Sequence, residues 1–363
     1  MKIIHIIIGL NRGGAETSLK NLVLNAPPSF DEVMIISLTN LGVIGNELEK
    51  HGFTVKCLGL KSLFSLLPVF FKLLKILIKV NPDVVQTWMY HSDLIGGLAA
   101  KLIGCKKILW GVRCTDIPIG SGTSFYVMKV CSYLSFSIPN KIICVAESAR
   151  KTHIDFGYDP KKMLVVPNGV DLKVFEFKNS SRPFAQNSMV VGCLGRFHKD
   201  KGQDILLDAA NKLLSDGFDI HFAFAGNGCS GNNDELTSLI DHRISKKSFT
   251  FFGELEDAPE FLNTLDVFCM PSRTEGFPNC LAEAMAIGLP CIANNVGDVT
   301  TLGSNVIMIN YSNDSKGLYD CLVEMILMST KGRSRLGKAA HLRVKSVFSI
   351  NKMVSRFNEI YKS

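Results

Sequence analysis

The run Gly195-Arg196-Phe197-His198-Lys199-Asp200-Lys201-Gly202 places two functional-looking cations in a loop bounded by glycines. A guanidinium presents a rigid fork of donors and an ammonium a compact point charge, so Arg196 and Lys201 together suit a diphosphate whose charge has to be neutralised. A solvated basic loop is the plainer reading of any such pair. Glycines at a strand's carboxyl end, where ligands of α/β sheets gather, favour function. A second stretch, 271–290, carries Glu275 in a loop and Glu283 in the helix that follows, with seven residues between them. Carboxylates accept hydrogen bonds from vicinal hydroxyls, and two at this separation can hold a ribose and a hexose at once; Glu283 can equally be a residue that only caps or solvates its helix. Near the amino terminus, Gly13-Gly14-Ala15-Glu16 follows an apolar strand and precedes an amphipathic helix from about residue 17. Paired glycines at such a turn let backbone N–H groups approach a phosphate at the positive end of a helix, although a turn needed only for packing reads the same way.

These residues need elements to hold them. Strand-like runs at 3–8, 33–38, 84–87, 107–111 and 141–145 are apolar on both faces and separated by helix-length segments, which is the pattern of a parallel sheet with crossover helices. A second series follows at 189–194, 221–225, 249–252, 267–270 and 290–293. A chain of 363 residues exceeds what one hydrophobic core usually supports. The expected fold class is therefore α/β, with two Rossmann-like domains whose parallel sheets face a central cleft. The first domain spans 1–170, a polar stretch without helical or strand period links them over 171–188, and the second spans 189–345.

Composition narrows the class. Hydrophobic residues are 47% and charged residues 20% of the chain, enough for buried cores and little extended disorder. Eleven cysteines lie between Cys57 and Cys321 with no CxxC pair and no Cys/His cluster, so neither a zinc site nor a disulfide framework is expected, and reduced thiols of a cytoplasmic protein fit best. Asp-x-Asp is also absent, and no metal or other cofactor is expected. The first nine residues are too short for a secretory leader and read as a buried strand. The net charge of +7 is unevenly spread: residues 50–82 contain six lysines and no acid, a local patch that calls for no nucleic-acid partner.

Taken together these stretches resemble the family 4 retaining glycosyltransferases, whose fold is GT-B. The resemblance is carried by the Gly13-Gly14-Ala15-Glu16 loop, the Val166-Pro167-Asn168-Gly169-Val170-Asp171 junction, the Gly195-Arg196 to Lys201-Gly202 loop, and the run from Ser272 to Pro290. It spans nearly the whole chain in the family's order. It implies transfer of a sugar, a hexose or N-acetylhexosamine, from a nucleotide-sugar donor that is commonly a UDP-sugar. The acceptor would be a glycan, in particular a lipid-linked one in bacterial surface polysaccharide synthesis. Arg196 and Lys201 would bind the diphosphate, Glu275 the hydroxyls of the transferred sugar, and Glu283 the ribose. Gly13 and Gly14 would approach the donor from the first domain. Gly253 and Leu255 would lie by the base, and a C-terminal helix of about 346–363 would pack back onto the first domain.

The chain departs from the family pattern in two places. Gln86-Thr87-Trp88 stands where many members carry His-x-His, leaving His91 as the nearest imidazole; it is either a catalytic cleft residue or a partner of the helix start. After Gly297 a frequent second glycine is Asp298. Rival readings are a nucleotide-sugar 2-epimerase of the same architecture and a non-catalytic sugar-binding module. Nicotinamide binding is disfavoured, because the first strand does not lead into GxGxxG.

The segment 61–80 suggests a location. On a helical wheel Lys72, Lys75 and Lys79 fall within roughly a 60° arc, with Leu63, Leu67, Phe70, Leu74 and Leu77 opposite. An ordinary crossover helix with solvated lysines has the same pattern; the alternative is peripheral attachment to the inner face of an anionic cell membrane. Its uncharged run, 62–71, is too short to span a bilayer.

Overall fold

The computed structural model describes residues 1–28, 30, 32–115, 122–178, 188–255 and 257–363. The chain divides into two compact units, one of Met1–Gly169 with Ile350–Ser363 and one of Val170–Ser349. Of the segment expected to link two domains, residues 179–187 lie outside the described ones, and Lys178 donates its backbone N–H to Asn263 Oδ1 at 2.7 Å within the second unit.

In the first unit, strands β1 (Lys2–Ile7), β2 (Glu32–Ser37), β3 (Thr54–Cys57), β4 (Val84–Trp88), β5 (Lys107–Val112), β6 (Lys141–Cys144) and β7 (Met163–Val165) form a parallel sheet in the order β3-β2-β1-β4-β5-β6-β7. Helices α1 (Gly14–Leu24), α2 (Gly42–Lys50), α3 (Leu66–Val80), α4 (Tyr90–Leu102), α5 (Thr123–Leu134) and α6 (Glu147–Asp155) alternate with the strands. Central strands are apolar on both faces because helices cover both: Ile3, Ile4, Ile6 and Ile7 are at most 1% exposed. Helix α4 approaches the sheet closely through small residues, and a Cβ on Gly97 would lie 2.4 Å from Trp110 Nε1.

The second unit continues with β8 (Met189–Leu194), α7 (Gln203–Ser215), β9 (Ile220–Ala225), α8 (Asp234–Thr237), β10 (Phe249–Phe251), α9 (Ala258–Asn263), β11 (Val267–Met270), α10 (Asn279–Ile287), β12 (Cys291–Asn294), α11 (Val299–Gly303), β13 (Met308–Asn310), α12 (Ser315–Leu327) and α13 (Thr330–Arg343). Its parallel sheet has the order β10-β9-β8-β11-β12-β13. Phe222 and Phe224 stack on Phe249 and Phe251 across β9 and β10, with ring centroids 5.9 and 5.4 Å apart. The return helix α14 (Ile350–Lys362) belongs to the first unit, where Met353, Phe357 and Tyr361 join Ile3 and Trp88 in one buried cluster.

Several local expectations are revised. Edge strands β3, β7 and β13 escape a sequence reading because they have only four, three and three residues, and β3 is largely exposed. Helix α1 starts at Gly14 rather than about residue 17, so Gly13 is its cap and Glu16 lies in its first turn. Helix α4 starts at Tyr90, which puts His91 inside the helix rather than before it. In α3 the buried stripe is Val69, Leu73 and Leu77, while Leu67, expected opposite the lysines, is 67% exposed and shares the outer surface with Phe71, Ile78 and the three lysines. The helix has more apolar residues than one face can bury, so packing on the sheet and α4, not the wheel, selects which of them point inward.

Candidate functional site

In the second unit the strand order reverses between β8 and β11, and the loops leaving the carboxyl ends of these two strands are the cation loop and the Glu275 loop. That crevice is the place where doubly wound sheets bind ligands. Gly202 has φ +66° and caps α7; a Cβ there would fall 2.1 Å from the Pro271 carbonyl oxygen, so the two loops touch only because this residue is glycine. Lys201 Nζ donates to Glu275 Oε1 at 2.7 Å, and Ser272 Oγ donates to the same oxygen at 2.7 Å. Burial works against the Lys201 ammonium, but the Glu275 carboxylate outweighs it and holds its pKa above the ordinary value. Arg196 is exposed, has no ion pair among the described residues, and opposes the Lys201 charge, so its positive charge is left uncompensated by them. Arg273, which the sequence reading passed over, clamps the loop from below, with both guanidinium nitrogens on Asp204 at 2.6 and 2.7 Å and one on the Lys199 carbonyl at 2.8 Å.

Glu283 lies half-buried on α10, with no hydrogen bond to a described residue, and burial pushes its carboxyl up to about 7. An isolated carboxyl with unfilled acceptor sites suits hydroxyl donors brought by a ligand. It caps nothing, since α10 starts at Asn279 and Glu283 is in the body of the helix. Gly253 and Leu255 follow β10. Gly226 N–H donates to the Gly253 carbonyl at 2.7 Å, and open space surrounds the Gly253 α-carbon where a side chain would stand. Leu255 is half-buried. Gly297 presses on the Glu275 backbone, and Asp298, in place of a second glycine, is buried and donates its N–H to the Gly276 carbonyl at 3.3 Å.

The first unit holds the other residues at the same end of its own sheet. Gly13 and Gly14 are exposed, and a Cβ on Gly13 would meet Glu16 Oε2 at 2.3 Å because that carboxyl folds back over the helix start. Burial raises the Glu16 pKa and a hydrogen bond from its own backbone N–H lowers it, with burial prevailing. His91 is half-buried, burial depresses its pKa, and it makes no hydrogen bond with a described residue, so it does not partner the helix start. No side chain caps that helix start; Asp93, in the first turn of α4, instead ties the helix to β4 and β5, with Thr87 Oγ1 donating to its Oδ1 at 2.5 Å and Gly111 N–H at 3.2 Å, and burial pushing its carboxyl up to about 8. Arg113, at the end of β5, was also missed. Its Nη2 donates to Ser18 Oγ of α1 at 2.6 Å and to Asn168 Oδ1, and the guanidinium sits 5.1 Å from the centre of the Trp88 ring. Burial lowers its pKa to about 10. Nothing in the sequence separates such a cation from a surface arginine; only its position after a buried strand was a signal. Among the described residues no group of three or more His, Cys, Asp and Glu side chains is arranged to hold a metal ion.

Two parallel α/β units with phosphate-type loops at the carboxyl ends of their strands define the GT-B class. The backbone matches HepE of Anabaena, crystallised with UDP, with a TM-score of 0.84 over 99% of both chains at 20% identity. It also matches a glycosyltransferase from Rickettsia africae, with a TM-score of 0.81 over 99% and 98% of the two chains at 20% identity. Residues 12–174 fit the family model described as Glycosyltransferase Family 4, and residues 188–327 fit that of the Glycosyl transferases group 1. The chain belongs to this family and is a glycosyltransferase. It is similar to the Escherichia coli UDP-Gal:alpha-D-GlcNAc-diphosphoundecaprenol alpha-1,3-galactosyltransferase, at 28% identity over 83% of this chain and 79% of that one. The capsular polysaccharide biosynthesis glycosyltransferase CapH of Staphylococcus aureus is 26% identical over 100% of this chain and 99% of its own.

Proposed function

We propose that the protein transfers a sugar from UDP to a lipid-linked glycan in bacterial surface polysaccharide synthesis, with retention at the anomeric carbon and without a metal ion. The observation that carries this reading is the pairing of Lys201 with Glu275 beside the uncompensated Arg196, at the switch point of the second sheet. There Lys201 and Arg196 face the diphosphate. Glu275 keeps Oε2 free of hydrogen bonds from described residues, open to the sugar's hydroxyls, while Glu283 takes the ribose. Gly253 and Leu255 border the uracil, and in the first unit Gly13 and Gly14 offer backbone donors and His91 an imidazole for substrate. The acceptor hydroxyl oxygen bonds to the anomeric carbon on the face from which the diphosphate departs. The carbon–oxygen bond to phosphate breaks with its electron pair going to the phosphate oxygen, and the hydroxyl proton passes to that oxygen. Fixed cations stabilise the departing charge in place of a divalent ion. The relatives named for UDP-galactose and for capsule support donor, acceptor class and pathway.

The same proposal places the first unit on the anionic surface that carries such an acceptor, through residues 61–80. The outer surface of α3 sets Leu67, Phe71 and Ile78 beside Lys72, Lys75 and Lys79, an apolar stripe flanking a basic one. Among the described residues no helix is long and apolar enough to cross a membrane.

The test is release of UDP from a panel of UDP-sugars, with and without a polyprenyl diphosphate-linked saccharide and with EDTA throughout. Acceptor-dependent UDP release with an axial or equatorial linkage matching the donor is expected. UDP release without a new glycosidic bond, epimerised donor, or dependence on an added divalent ion would each overturn the corresponding part.

A further inference from the structure

The helical layer that contains α3 goes on to α4 and α5, since α4 packs against both of its neighbours. Among the described residues of the first unit ten large hydrophobic side chains are exposed, and nine of them, all but Val43, belong to α3, α4, α5 or the residues next to them. Helix α5 contributes Tyr126, Val130 and Tyr133, with Phe136 just beyond its end; Tyr133 is 82% exposed. Tyr126, Val130 and Tyr133 are four and three residues apart, so they form one stripe on the solvent side of α5. Beside it lies a groove of about 450 Å³ lined by Phe125, Lys129, Tyr133, Phe136 and Phe156.

Charge on this layer has one sign. The segments 61–80, 90–102 and 122–138 contain Lys61, Lys72, Lys75, Lys79, Lys101 and Lys129, while their one acid, Asp93, is fully buried. A soluble surface normally intersperses both signs and avoids contiguous apolar patches. A face whose three helices expose only basic charge, with Asp155 beside the groove as a nearby exposed acid, and which is studded with tyrosine and phenylalanine complements a bilayer with anionic headgroups, where amphipathic rings settle at the level of the headgroups.

We infer that α5 is a second membrane contact: Tyr126, Val130, Tyr133 and Phe136 insert at the headgroup boundary of an anionic phospholipid bilayer, and the groove beside them takes the upper part of a lipid chain. The inference rests on the membrane reading of α3 and extends it. The lysines of α3 supply attraction that salt screens, and the apolar stripe of α5 supplies binding that salt leaves in place.

The experiment uses the full chain and vesicles of phosphatidylcholine with or without phosphatidylglycerol, floated at low and high salt. A Tyr126→Ser, Tyr133→Ser, Phe136→Ser variant is compared with Lys72→Glu, Lys75→Glu, Lys79→Glu and with wild type; all substituted positions are exposed, and circular dichroism melts establish that each folds. The α5 variant is expected to lose vesicle binding at high salt by roughly tenfold or more, while the α3 variant loses mainly the low-salt binding to phosphatidylglycerol. Tyr133→Trp gives a direct readout, because both native tryptophans are buried. Its emission should shift to the blue on vesicles and be quenched by brominated lipid. If the α5 variant floats like wild type at both salt concentrations, and the indole of Tyr133→Trp stays unquenched, this inference is overturned, and the α3 reading stays intact if the lysine variant still fails. Equal flotation of all three proteins, or of none, overturns both. A wild-type dimer that the α5 substitutions dissociate, with vesicle binding unchanged, assigns the stripe to a second copy and likewise overturns it.

Discussion

Lys201 and Glu275 meet at 2.7 Å although they lie 74 positions apart in the chain. The contact joins the two loops on either side of the switch point, and it makes Lys201 a structural as well as an electrostatic residue. Arg196, a few residues earlier in the same loop, has no such tie. Alanine at either position should remove about 2–4 kcal/mol of transition-state stabilisation, a rate loss of about 30-fold to 900-fold. Only Lys201→Ala should also lower Tm, because it strands a largely buried Glu275. Stopped-flow or coupled UDP release together with thermal melts tests this; near-normal turnover in both variants would remove them from the diphosphate site.

Glu283 carries a pH prediction. Its folded pKa of about 7 is raised above the ordinary 4.5, so the folded state holds the proton more tightly than the unfolded one. Stability is then greatest below about 4.5 and declines as pH rises through 7. Glu283→Gln, which cannot ionise, should gain about 1–3 kcal/mol over wild type at pH 8 and nothing at pH 4. Donor binding should move the other way. Wild-type affinity rises with pH through 7 as the carboxylate forms, and the Gln variant binds weakly and flatly. Isothermal titration across that range measures the binding half and thermal melts the stability half; a pH-independent wild-type affinity would argue against contact with the ribose.

Arg113 ties α1, β4 and the Asn168 turn together through Ser18, the Trp88 ring and Asn168 Oδ1. Replacing it by Ala should cost about 2–4 kcal/mol, through lost charge-assisted hydrogen bonds and lost packing. Lysine should recover little, since one ammonium cannot reproduce a planar fork stacked on an indole. Urea melts of the three proteins decide this; an Arg113→Lys protein as stable as wild type would show that charge alone matters.

Gly202→Ala is expected to separate the two loops rather than unfold the unit. A positive φ and a carbonyl 2.1 Å from the new Cβ together cost about 1–3 kcal/mol. The strain should appear as weaker UDP binding out of proportion to the loss of Tm. Differential scanning fluorimetry with and without UDP separates the two effects, and a full UDP-induced shift in the variant would contradict the argument.

The residues that do local work were legible in the sequence. Strands buried on both faces are written as runs such as Ile3 to Ile8, and phosphate-type turns as glycines beside cations. Glu275 and Glu283 stand in one short segment whose order survives folding. What the tertiary structure decided was every relation between distant positions. It joined Lys201 to Glu275, tied Asp93 of α4 to β4 and β5, set a half-buried Arg113 among neutral partners, and turned Leu67 outward and Val69 inward on α3. The physical reason is that periodicity specifies a stripe only when a helix has just enough apolar residues to fill one. Likewise a charge's environment depends on burial and on partners from other strands, neither of which is encoded next to it.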